Sequence, residues 1–128
     1  MTQLRHSDPE NKLLYDFEYL DELSDDDLDF KKNMILFFIE NAPLSLEEIK
    51  LQHSNKNWKA LREITHKYKP QIGFMGIKSI AEELETLEQS ASKEVNIDAM
   101  PGLIERIEKI SYLAITQLKN ELERLNQF

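Results

Sequence analysis

The chain has no cysteine, only three glycines and no long apolar run, and each shortage removes a class of explanation. Without cysteine there is no disulfide framework and no thiolate-held metal, which suits a reducing compartment. The longest purely apolar run, residues 34–39, falls far short of the ~20 residues that a helix needs to cross a bilayer. The first residues, MTQLRHSDPE, lack the apolar core of a secretory signal. We therefore expect a cytoplasmic protein with no membrane partner. Three glycines do not make a phosphate-cradling loop, so no nucleotide site is expected. Three histidines without a cysteine build no nucleophilic triad. Positive charge is also short: 16 Lys and Arg stand against 24 Asp and Glu, a formal net of −8, which disfavours nucleic acid as a partner. What remains, 128 residues with 41% hydrophobic and 31% charged, is enough for one core in one domain.

Taken in order, residues 1–14 are polar and read as a loose leader, and residues 15–128 as a helical domain. Tyr15, Phe17, Tyr19, Leu20 and Leu23 mark a short first helix. Ser24, followed by three aspartates, reads as the N-cap of a second. That helix carries Leu28, Met34, Ile35, Phe37, Phe38 and Ile39, dense enough to be buried on more than one side. It is expected to kink at Pro43 and run to about His53, the alternative being that a new helix begins with Pro43 in its first turn. A polar turn leads to a third helix from about Trp58, for which Gly76 is the natural left-handed C-terminal cap. A fourth spans about residues 77–91, with Ile80, Leu84, Leu87 and Ala91 inward and Glu82, Glu83 and Glu85 mostly outward. Asp98 reads as the cap of a last helix with Pro101 in its first turn, and Ile104, Ile107, Ala114, Leu118, Leu122 and Leu125 run down one side of it. The expected fold is all-α: an antiparallel up-down four-helix bundle with a short N-terminal helix.

Chemistry concentrates in residues 58–76, WKALREITHKYKPQIGFMG. Leu61, Ile64, Thr65, Tyr68, Ile72 and Met75 form one helical face, and His66 lies away from it with Arg62 at i−4, Lys69 at i+3 and Gly73 at i+7. Residues 56–78 hold six cations and one anion in an otherwise acidic chain, a field suited to an anion bound or formed there. Gly73 removes bulk beyond Lys69, and Pro70 takes an N–H away from the His66 carbonyl, so a kink is expected. Glu88, at the border of the next helix's inward face, is placed to reach this helix. If it accepts a hydrogen bond from the imidazole Nδ1–H, the lone pair is fixed on Nε2, which becomes a nucleophile. Pro70, Gly73, Phe74 and Ile77 project beside His66 as a partner-docking rim, the alternative for Phe74 and Ile77 being that they close the end of the bundle.

These residues resemble the signature of histidine-containing phosphotransfer (HPt) domains, roughly H-x-L-K-G-x-x-x-x-x-G followed by a helix ending in Leu-Glu. His66, Lys69, Gly76 and Leu87-Glu88 match it, while Tyr68 replaces the leucine and Pro70 the glycine after the lysine. The resemblance implies a four-helix bundle with His66 as phosphoacceptor; on the residues' own placement Glu88 would orient its imidazole, and Lys69, with Arg62 as a possible further contact, would stabilise the phosphoryl oxygens. It further implies a phosphocarrier with no kinase activity or cofactor of its own. The partners implied are a hybrid sensor histidine kinase and response-regulator receiver domains, whose aspartates exchange the group and whose Mg²⁺ assists. A monomer is expected.

Two other readings compete. Glu63-x-x-His66 has the spacing of a di-iron ligand pair, but such bundles need two of these motifs and two further inward glutamates; neither His6 nor His53 has a glutamate three residues before it. The other is an HPt-like docking module without phosphotransfer, in which Pro70 has displaced His66 or its lysine.

Overall fold

A computed structural model describes residues 12–127. They form five α-helices, α1 (Glu18–Ser24), α2 (Leu28–Ser54), α3 (Trp58–Phe74), α4 (Ala81–Lys93) and α5 (Met100–Leu125), with 3-10 turns at Lys78–Ile80 and Ile97–Ala99. Among the described residues there is no strand, as the sequence led us to expect. The leader lies largely outside them. Its last residues run along α5, where the Gln117 side chain accepts from the Leu14 N–H at 2.8 Å and donates to the Lys12 carbonyl.

The four long helices close a ring, α2 against α3 and α5, and α4 against α3 and α5. Side-chain pairs show how the chain reverses. His53 meets Trp58 at the α2–α3 turn, and Phe38 stacks on Tyr68 further along. On α3 and α4, His66 pairs with Glu88 and Lys69 with Glu85, so numbers rise on one helix as they fall on the other. The inward face of α3 is as expected: Leu61, Thr65, Tyr68, Ile72 and Met75 are buried, with Ile64 partly so. Tyr68 is wholly buried and donates to the Ser111 hydroxyl on α5 at 2.8 Å, which ties α3 across the core. Burial pushes its hydroxyl pKa well above the usual value.

The end of α3 is specified closely. Gly76 has φ +66°, its N–H donates to the Gly73 carbonyl and the Ile77 N–H to the Ile72 carbonyl, satisfying carbonyls the helix leaves open. A Cβ at Gly76 would collide with the Asp16 backbone, because the Asp16 N–H donates to the Met75 carbonyl at 3.0 Å. The segment before α1 is thus strapped across the turn from α3 to α4.

Several local expectations are corrected. Ser24 ends α1, its hydroxyl donating back to the Leu20 carbonyl, and Asp27 caps α2 by accepting from the Phe30 N–H at 3.0 Å. Asp98 lies in a 3-10 turn and caps nothing; α5 begins at Met100 with Pro101 in its first turn. Pro43 and Pro70, by contrast, lie inside α2 and α3, so no new helix begins at Pro43 and the favoured reading of one helix through the proline stands. Phe37, one of the apolar residues expected to bury α2 on more than one side, is 52% exposed. Glu83, expected to point mostly outward, meets Arg106 of α5 at 2.7 Å.

Candidate functional site

Two helix caps set the span of α3 on which the site is built. Asn57 accepts from the Ala60 N–H at one end and Gly76 turns the chain at the other, which fixes the helix against α4. His66 and Lys69, three residues apart, share one side of α3; Glu85 and Glu88, also three apart, share the facing side of α4. The antiparallel register brings the four together.

The His66 ring lies 2.7 Å through Nδ1 from Glu88 Oε2, and the side chain is 64% exposed. Lys69 Nζ donates to the other carboxylate oxygen, Glu88 Oε1, at 2.8 Å, and also to Glu85 Oε1. Glu88 is therefore shared: one oxygen holds the imidazole and the other the ammonium. Burial opposes ionisation of Glu88, whose side chain is 11% exposed, but the hydrogen bonds from Lys69 and His66 outweigh it and hold its pKa below the usual carboxylate value. An ionised carboxylate only accepts, so the proton of the His66–Glu88 bond sits on Nδ1. In the neutral imidazole this leaves the lone pair on Nε2. The hydrogen bonds that Lys69 donates to Glu85 and then to Glu88 raise its pKa, and donation from Lys69 and then Gln89 lowers that of Glu85. What this arrangement offers chemically is an exposed, tautomer-fixed imidazole nucleophile with a fully charged ammonium one turn away.

The other sequence-derived positions divide. Pro70 is exposed one turn beyond His66, and its presence leaves the His66, Lys69 and Glu88 bonds intact. Arg62 is half-buried on α3 and, among the described residues, makes no ion pair, so it is not drawn into the cluster. Gly73 is exposed, and a Cβ there would meet nothing within 4 Å, so no part of the described chain requires the missing bulk. Phe74 is partly buried with its ring edge-on to Tyr19. Ile77 is corrected: at 1% exposure it belongs to the core and offers nothing to a partner. Among the described residues no group of three or more ligating side chains is placed to hold a metal ion.

Two features escaped the sequence. One is Glu85, read as an outward solvated acid, whose pairing with Lys69 follows only once Glu88 is known to face His66. The other is an apolar cavity of about 190 Å³ between α2 and α3, where Met34, Phe37 and Phe38 meet Pro70 and Phe74. The signal for the second was weak, since Phe37 sits in a continuous apolar run that conceals which side faces out.

A family model described as Hpt domain matches residues 33–128. No curated sequence matches the chain. Among solved structures, that of histidine-containing phosphotransfer protein B (HptB) from Pseudomonas aeruginosa PAO1 superposes with a TM-score of 0.77 at 24% identity, over 87% of this chain and 96% of that one, a likeness of fold. No helix among the described residues is long and apolar enough to cross a membrane.

Proposed function

This chain belongs to the Hpt domain family, phosphocarriers of two-component phosphorelays that interact with receiver domains and histidine kinases, and from that premise we propose that His66 is the residue on which it carries the phosphoryl group. The observation that carries this reading is the 2.7 Å bond from Nδ1 to the buried Glu88 carboxylate on a ring that is otherwise 64% exposed. Nε2 attacks the phosphorus of a receiver's aspartyl phosphate. The N–P bond forms as the P–O bond breaks, and the aspartate carboxylate leaves with the electron pair. Positive charge arriving on the imidazole is met by Glu88, and the Nδ1 proton stays in that bond. Reversal returns the group to an aspartate. Lys69 turns its ammonium to the phosphoryl oxygens, and Arg62, one turn before His66, adds a second, more distant cation.

On this reading the chain works as a monomer in the cytoplasm, without a kinase activity or cofactor of its own, downstream of a hybrid sensor kinase. Pro70 and Phe74, beside the α2–α3 cavity, contribute to the surface that meets the receiver, with exposed Gly73 keeping the approach clear. The divalent ion that assists transfer belongs to the receiver.

The test is to mix the purified protein with a receiver domain carrying labelled aspartyl phosphate and Mg²⁺. Wild type should acquire an alkali-stable, acid-labile label and His66→Gln none. Equal labelling of a folded His66→Gln variant would place the phosphoacceptor elsewhere.

A further inference from the structure

Lys69 is pulled in two directions. Its ammonium is shared between Glu88, which is nearly buried and engaged with His66 through its second oxygen, and Glu85, which is 52% exposed and accepts from Gln89 Nε2 at 3.1 Å through its own second oxygen. The two partners differ in how easily they are given up. Taking Lys69 from Glu88 would leave a nearly buried carboxylate with one charge-assisted bond fewer, whereas Glu85 keeps Gln89 and gains water. When a phosphoryl group bearing nearly two negative charges arrives on Nε2, the contact that Lys69 exchanges for it is therefore the one to Glu85.

We propose that Glu85 is a positioning residue that holds Lys69 back from the phosphoryl group and so limits the lifetime of the phosphohistidine, keeping the carrier ready to release its cargo. The inference rests on His66 as the phosphoacceptor. In spontaneous loss, water attacks phosphorus, the N–P electron pair returns to Nε2, and the protons of the attacking water pass to phosphate and solvent. Lys69 bound to the phosphoryl oxygens opposes this loss by stabilising the phosphorylated state, and Glu85 competes for that same ammonium. The competition is an exposed ion pair and is correspondingly modest.

The experiment measures the half-life of label on the isolated phosphorylated protein, and the partition of label with a receiver at equilibrium, for wild type, Glu85→Gln, Lys69→Gln and the double variant. Glu82→Gln, an exposed acid on α4 that does not touch Lys69, serves as control. Glu85→Gln should lengthen the half-life by about two- to fivefold and shift the partition toward this chain by a similar factor, with less effect at 1 M salt. In the Lys69→Gln background the same substitution should change neither quantity. An unchanged or shortened half-life in Glu85→Gln overturns the proposal. So does an equal lengthening in the Lys69→Gln background, because Glu85 would then act on the phosphoryl group directly and not through Lys69. Failure of wild type to take up label overturns the underlying assignment of His66, an outcome distinct from labelled proteins with identical half-lives.

Discussion

Among the described residues two lysines each sit between two glutamates, and only one of these pairs of glutamates belongs to the candidate site. On α2, Lys50 reaches Glu108 of α5 at 2.8 Å and Glu47 of its own helix at 3.4 Å. On α3, Lys69 reaches Glu85 and Glu88, both of α4. Charge and residue type are the same, and in both the cross-helix hydrogen bond is the main reason that the lysine pKa rises. The difference lies in what the carboxylates do next. Glu108 is 29% exposed and, among the described residues, bonds to the lysine alone, which makes the group a staple between α2 and α5. Glu88 is 11% exposed and divides its oxygens between Lys69 and an exposed imidazole. On the proposed function, that sharing of a nearly buried carboxylate with the imidazole is what makes the ion pair part of the site.

That contrast is sharpened most by removing charge from the cross-helix carboxylates. Glu88→Gln should lower the initial rate of label transfer from a phosphorylated receiver by about 10²-fold, the low end of what a positioned proton partner supplies, because the Nδ1 tautomer is no longer enforced. Glu108→Gln should leave the rate unchanged. A comparable fall in both, with both proteins folded, would erase the distinction. Next in size, Lys69→Ala should slow transfer by about tenfold, less than the loss typical of a buried donor since Lys69 is one-third exposed, while Lys50→Ala transfers as wild type does.

The smallest effect is expected in acid. Hydrogen bonds from Lys69 and Gln89 depress the Glu85 pKa; burial opposes ionisation of Glu88, but hydrogen bonds from Lys69 and His66 outweigh it, so both carboxyls lie below the ordinary value of 4.5. A depressed folded value means that the unfolded chain takes up the proton first. The stability these groups lend is complete above about pH 4.5 and is lost as the pH falls through their folded values. Urea midpoints measured from pH 7 down to pH 3 should therefore fall less steeply in Lys69→Ala than in wild type. Parallel curves would make the α3–α4 group as plain energetically as its counterpart on α2 and α5.

Much of this was legible in the sequence, for reasons that also mark where legibility stops. His66 and Lys69 were readable because both lie on a helix whose apolar face fixes every other direction, and Glu88 because it borders the inward face of the next. Glu85 was not, because its partner depends on the register between two helices, and register is set by the turn joining them. Ile77 was misplaced because a helical wheel has no meaning beyond the left-handed residue at Gly76. The run Ser-Asp-Asp-Asp offered four residues able to cap a helix, and the choice fell on Asp27 once Ser24 bonded back to Leu20 and Asp25 and Asp26 took positive φ. On α2, apolar residues fill the core side and continue round it, so Phe37, Leu44 and Leu51 are exposed at seven-residue spacing without any change of composition to signal it.

The strap of Asp16 across Gly76 also bears on how such a chain tolerates change in length. One residue added or lost between Phe74 and Ala81, if absorbed as helix, would turn α4 by about 100° and carry Glu88 away from His66, with every residue of the site still present. The Asp16 backbone occupies the space into which a longer turn would bulge. Substitutions along the helices can accumulate one at a time, whereas an insertion at this corner has to be matched by a rearrangement sixty residues earlier in the chain, around Asp16 and its neighbours.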